Sequence, residues 1–258
     1  MRLMKRILSA AAVLALSASL LVGCSSGTAS SVPVSASSAA ESTVSSVEET
    51  ASSAADENEA AAAQLLNDLT GSYQELWPVI LADEYKQTWL DDCTALVGED
   101  NAEAAFEKLS SMVTGDVYGE DAVKAYANGG GAYFCGFTNS LATLTFDGET
   151  STISGTDKDG NVLFSHTYHY IGMEPVHGLY EFESDDADSG EFTYFFLAPD
   201  TSAETYHIEF RYGSDAEALS QYDAGEYAYW LASGISTDCD QTMINNCIEL
   251  FCTENLAG

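Results

Sequence analysis

Residues 204–213 read "ETYHIEFRYG", and how this stretch is read decides the fold. Tyr206, Ile208, Phe210 and Tyr212 alternate with Thr205, His207, Glu209 and Arg211. The apolar/polar period of two marks a two-faced β-strand, with His207 on the hydrophilic side. "SDAEALSQY" (214–222) follows at once and opens a helix from an acidic cap. Periodicity favours solvent for the polar face of such a strand. A closed barrel permits the opposite, with the polar face lining a wet interior and Glu209 and Arg211 beside His207.

Upstream the same texture repeats. "LATLTFDG" (141–148), "STISG" (151–155), "NVLFSHTYHYIG" (161–172), "GLYEFESDD" (178–186) and "EFTYFFLAP" (191–199) are β-branched and aromatic runs. Turn chemistry such as "SDDADSG" (184–190) separates them. Short connections predict antiparallel neighbours, and six such strands predict a barrel or a strongly curved sheet. Helices are expected on either side of the strands. "DEYKQTWLDDCTALVG" (83–98) spaces Tyr85, Trp89, Cys93 and Leu96 helically, with Asp83 as cap and Gly98 as stop. "NAEAAFEKLSSMVTG" (101–115) carries Phe106, Leu109 and Val113, and "DAVKAYANGGG" (121–131) predicts a shorter helix. "TDCDQTMINNCIELFCTENL" (237–256) repeats Met243, Cys247 and Phe251 on one face. The expected class is mainly β: an antiparallel β-barrel with flanking helices at both ends.

The first sixty residues read differently. "MRLMKR" (1–6) is a basic n-region, "ILSAAAVLALSASLL" (7–21) an apolar h-region too short and too rich in Ala and Ser for a span, and "LVGCSS" (21–26) a lipobox match. These predict a lipoprotein signal peptide over 1–23 and lipidation of Cys24, which would anchor the chain at the extracytoplasmic face of the cell membrane. Residues 24–60, rich in Ser and Ala and acidic at the end, are expected to be a disordered tether. The folded domain is then 61–258, long enough for one well-packed core.

Beyond the n-region, five basic residues face 41 acidic ones, a net charge of −36, and Arg211 is the sole arginine. A surface this negative excludes nucleic acid as a partner and draws cations without selecting among them. Besides Cys24 there are five cysteines, an odd number. Cys247 and Cys252, five positions apart on a helix, lie beyond disulfide reach of each other.

Signatures of enzymes are missing: no Gly-x-Ser-x-Gly, no His-Glu-x-x-His, no phosphate-binding glycine loop. Glu204 and His207 have the spacing of a helical metal pair but fall in a strand. "GTDKDGN" (155–161) fails as a calcium loop, since Gly160 as the required glycine puts Gly155 first and His166 last. His166 and His169, three apart, face opposite sides of a strand, and His177 is expected in an exposed turn. The chain is not expected to be an enzyme.

"DLTGSYQELWP" (68–78), "FSHTYHYIG" (164–172), "GEFTYFFLAP" (190–199) and "TYHIEFRYGSDAEAL" (205–219) together resemble the ZinT/YodA family. That resemblance runs in order over roughly residues 65–255. It implies a lipocalin-like fold, extracytoplasmic zinc and cadmium binding, and delivery of zinc to the binding protein of an ABC importer. The family's metal pattern has a histidine three residues before the Ala-Pro turn and a His-x-His pair after it. Here these positions are Phe195 and Thr205-Tyr206-His207, so His207 alone matches. The match favours an inward-facing His207 as a zinc ligand, with Glu209, Glu204 or His166 as helpers in a degraded or rearranged site. The alternative is a metal-free lipocalin-like module for a small ligand or a protein partner.

Overall fold

A computed structural model describes residues 57–115, 117–130, 133–198 and 207–257. The signal peptide, Cys24, most of the tether, Glu204 and the Thr205-Tyr206 pair lie outside these residues. The first helix, α1, spans 57–68, so its first residues fall within the stretch assigned to the tether. Its Ala62, Leu65 and Leu66, with Leu69 just past its end, form one apolar stripe, buried against the barrel core.

Eight strands follow: β1 Gly71–Glu75, β2 Thr143–Asp147, β3 Thr152–Thr156, β4 Val162–Met173, β5 Tyr180–Ser184, β6 Tyr194–Leu197, β7 His207–Gly213 and β8 Ala232–Ser236. Each pairs antiparallel with the next, and β8 returns to β1 through Gln74↔Ile235, closing the barrel. The six expected strands are all present. β1 and β8, which close the ring, were not legible as strands: "GSYQE" and "ASGIS" are short and poor in β-branched and aromatic residues.

Helices α2 (Leu76–Ile80), α3 (Lys86–Val97), α4 (Glu99–Val113) and α5 (Glu120–Ala127) lie between β1 and β2. A short α6 (Ala216–Ser220) follows β7, and α7 (Gln241–Leu256) follows β8. Asp83 begins a 3-10 turn ahead of α3 rather than capping it, while Gly98, at φ 83°, ends α3 as expected. Asp215 caps α6 by accepting from the Glu217 and Ala218 amides, and Asp240 caps α7 through the Met243 amide.

Two cores result. One fills the barrel, with Ile208, Phe210 and Tyr212 of β7 meeting Phe164, Phe182, Phe192 and Phe195. The other lies between the barrel's outer wall and the helices, where Ile235 meets Trp77, Ile80, Trp89, Ile248 and Phe251. In the helical layer the Trp89 indole N–H also donates to the Ile80 carbonyl at 2.7 Å.

This arrangement corrects the expected orientation of β7. Phe195 pairs with both Phe182 and Tyr212, which puts the apolar side of β7 inside the barrel. His207 pairs with Ile235 and Glu209 with Ser233, so the polar side faces outward. That outer side meets the helical layer rather than bulk water. Aromatic side chains fill a small barrel and lose more by exposure than an imidazole or a carboxylate does, so they take the interior.

Candidate functional site

His207 opens β7 and is half-buried. With Glu209, Cys247 and Glu254 it lines a cavity of about 20 Å³, walled by the apolar faces of Trp77 and Phe251. His207 and Glu209 are two apart on a strand and share its outer side, whereas Cys247 and Glu254 are seven apart on α7 and share one helix face. Four side chains of metal-donor type therefore converge on a space large enough for one water. Glu209 is 8% exposed.

Convergence is not coordination. Among the described residues, no group of three or more His, Cys, Asp or Glu side chains is gathered closely enough to hold a metal ion. A mononuclear zinc site takes three or four donors near 2 Å. The interior site of the family pattern does not fit either: Phe195 is fully buried in the barrel core and has no atom that ligates. The cavity thiol is not ready to bind as a thiolate, because burial and then the nearby Glu209 charge push Cys247 up to about 12. Burial, reinforced by Glu209, likewise pushes up the Cys135 thiol.

Of the expected helpers, Glu209 shares the cavity with His207. Glu204 lies outside the described residues. His166 is elsewhere: it sits on β4, three strands round the barrel from β7. Its Nδ1 is 2.8 Å from Asp186 Oδ2, and its ring stacks on Phe164 at 5.9 Å. His169 points the other way and is exposed, with Nδ1 2.7 Å from Asp185 Oδ1.

His177 is not the exposed turn residue expected: its side chain is 11% exposed, with Nδ1 3.1 Å from Glu174 Oε2. Glu174, almost wholly buried, also accepts from the amides of Val176 at 2.8 Å and His177 at 2.5 Å. Burial alone would raise this carboxyl, but the His177 side chain and the two amides hold it below its usual range.

Arg211 has a different task from lining a wet pocket. It is 1% exposed; Nη1 donates to the Leu219 carbonyl, Nη2 donates to the Tyr227 carbonyl at 2.5 Å, and the guanidinium lies 5.4 Å from the Tyr222 ring centre. Burial lowers its pKa to about 10, still charged at neutral pH. The sole arginine of the described domain thus pins the 219–227 segment onto β7.

A larger hollow escaped the sequence reading. A cleft of about 380 Å³ opens beside Trp77, Pro78, Leu81, Val113 and Phe134, with Glu75, Thr114 and Cys135 as its polar side chains. Glu75 Oε1 accepts from the Phe137 amide at 2.6 Å. The cleft joins α2, the end of α4 and the segment around residue 135, which are far apart in sequence. No local pattern announces it.

No protein-family model matches the sequence, and no curated protein is significantly similar to it. Among solved structures, the chain is similar to the Zn(II)-bound ZinT-like domain of Streptococcus pneumoniae AdcA, with 15% identity, 71% of this chain and 89% of that one covered, and a TM-score of 0.45. It is also similar to Zn(II)-bound AdcA from Streptococcus pneumoniae, with 17% identity, 72% of this chain covered and a TM-score of 0.42. There the alignment covers 35% of the AdcA chain.

Proposed function

We propose that this chain is a non-enzymatic, lipid-anchored extracytoplasmic protein of zinc handling, in which His207 and Glu209 form an incomplete metal contact. The observation that carries the reading is the meeting of His207 and Glu209 with Glu254 of α7 at one small cavity. An imidazole and a carboxylate are ordinary zinc donors. So few protein donors would leave coordination positions to water or to donors from a partner. That suits transfer more than storage, because a site closed by four protein ligands releases its ion reluctantly. The partner implied by the sequence resemblance is the binding protein of a zinc ABC importer. Lipidation at Cys24, inferred from the lipobox, would hold the barrel at the extracytoplasmic face of the membrane.

Thermal unfolding of the purified protein with and without zinc tests the reading. Zinc is expected to raise Tm in proportion to the logarithm of its concentration, chelator to reverse the rise, and His207→Ala to abolish it. An unchanged Tm at millimolar zinc, or an unaltered shift in the variant, would overturn it.

A second reading is favoured by one specific observation, the apolar cleft beside Trp77. Its volume of about 380 Å³ falls within the range of small-molecule sites, roughly 300–1,000 Å³. In this reading the barrel is a metal-free module for a small apolar ligand. It predicts stabilisation by such a ligand that Trp77→Ala removes and His207→Ala leaves intact.

A further inference from the structure

Two thiols meet in the helical layer. Cys93 of α3 and Cys252 of α7 are both 0% exposed, and their sulfurs are 4.0 Å apart. Large neighbours fix the seam around them. Trp89, one turn before Cys93, packs edge-on against Phe251, the residue before Cys252, with ring centres 5.9 Å apart at 79°. The five cysteines of the folded domain are all free, and the thiols of Cys93 and Cys252 are in contact.

We propose that Cys93 and Cys252 form a disulfide when the chain meets an oxidising small-molecule disulfide or a disulfide-bearing oxidoreductase, stapling α3 to α7. The geometry asks little of the fold. A disulfide is about 2.05 Å long, so the sulfurs close by about 2 Å, which side-chain rotation and a small helix shift provide. In the reaction, the thiolate of one cysteine attacks a sulfur of the partner disulfide and releases one thiolate. The other cysteine then attacks the mixed disulfide and releases the second. Two protein thiols are oxidised, one partner disulfide is reduced to two thiols, and the two protein protons pass to solvent or to the released thiolates.

Burial decides when this happens. Both thiols are held above their ordinary pKa mainly by desolvation, so the packed seam reacts slowly. The exchange belongs to folding, before α7 has docked, and the finished bond is then shielded from reductant by Trp89 and Phe251. The residues joined are 159 positions apart, a loop long enough for the cross-link to remove much of the unfolded chain's freedom. The proposal is independent of the zinc reading, since neither thiol lines the His207 cavity.

The full chain, refolded in a mixture of oxidised and reduced glutathione, blocked with iodoacetamide and digested without reductant, tests it. The expected product is a cross-linked peptide pair carrying Cys93 and Cys252, with a Tm about 5–10 °C above that of the reduced protein. Cys93→Ser and Cys252→Ser should each remove that difference, and Cys135→Ser should keep it. Should a serine variant fail to fold, the peptide map of the unaltered chain decides alone. Full alkylation of Cys93 and Cys252 after oxidative refolding, or recovery of either joined to a different cysteine, overturns the proposal.

Discussion

Phe195 on β6 stands directly across from Tyr212 on β7, their rings 5.4 Å apart and inclined by 23° inside the barrel. Tyr168 and Phe164 close on the same ring at 5.4 and 5.9 Å. The position at which the family pattern has an imidazole is thus part of an aromatic stack. Strand alternation places His207 on the other side of the wall.

Introducing the histidine of that pattern should therefore not create a zinc site. Phe195→His would bury an imidazole inside an aromatic stack, and is expected to cost about 3–5 kcal/mol in urea unfolding. It should give no zinc-dependent rise in Tm beyond that of the unaltered protein. A new high-affinity zinc response that also requires His207 would show that both side chains reach one cavity, contrary to the register.

Arg211 gives a second prediction. Its fork reaches the Leu219 and Tyr227 carbonyls at once. A lysine ammonium is one point on a flexible stem and cannot hold both. Arg211→Lys is expected to destabilise the domain by about 2–4 kcal/mol through a buried charge left short of acceptors. Hydrogen exchange should quicken over 219–230 while the strands around Phe195 stay protected. Equal loosening of both regions would mean that Arg211 supports the barrel itself.

A buried carboxyl, Glu174, and a half-buried one, Asp92, shift in opposite directions, and the pH dependence follows. Glu174 sits below its ordinary value of 4.5, so its contribution is complete above that pH and is lost as pH falls through the lower folded value. Asp92 sits above its ordinary 3.8, raised by burial and then by the charges of Glu249 and Asp91. Its contribution is complete below 3.8 and is lost as pH rises through the higher folded value. Asp92→Asn should accordingly be more stable than the parent protein at pH 7, with the gain shrinking toward pH 3.8. Glu174→Gln should be less stable at pH 7 and converge on the parent in acid. Urea midpoints against pH check both, and a stability gain for Asp92→Asn that does not vary with pH would rule out titration as its cause.

Most of this architecture was legible because it rests on local patterns. β-branched and aromatic runs mark six of the eight strands, Gly98 stops α3, and Asp215 stands where α6 needs an acceptor. The closing strands were not legible, because Gly71–Glu75 and Ala232–Ser236 belong to the sheet through their neighbours rather than through their own side chains. The direction in which His207 faces was not legible either. Alternation shows that a strand has two faces but not which one lies inside, and here the packing of Phe195, Phe210 and Tyr212 decides it. The meeting of His207 with Glu254, and of Cys93 with Cys252, depends on how α7 docks, which no spacing along the chain encodes.

The docking of α1 can be tested at one atom. A methyl group built on Gly148, in the β2–β3 turn, would lie 2.4 Å from the Cα of Asn67 and 2.6 Å from the Leu66 carbonyl oxygen. Both are backbone atoms of α1, so no side chain can swing aside, and the Gly148 amide also donates to Thr70 Oγ1 at 3.1 Å. Gly148→Ala must therefore push the helix away from the barrel, lifting Leu65, Leu66 and Leu69 out of the core. The expected cost is about 2–3 kcal/mol. Amide protection should be lost first over residues 60–69, while β4 to β7 exchange as before. If α1 keeps its protection in the variant, the helix does not press against the turn as described, and the contact between Gly148 and Asn67 is not what orders it.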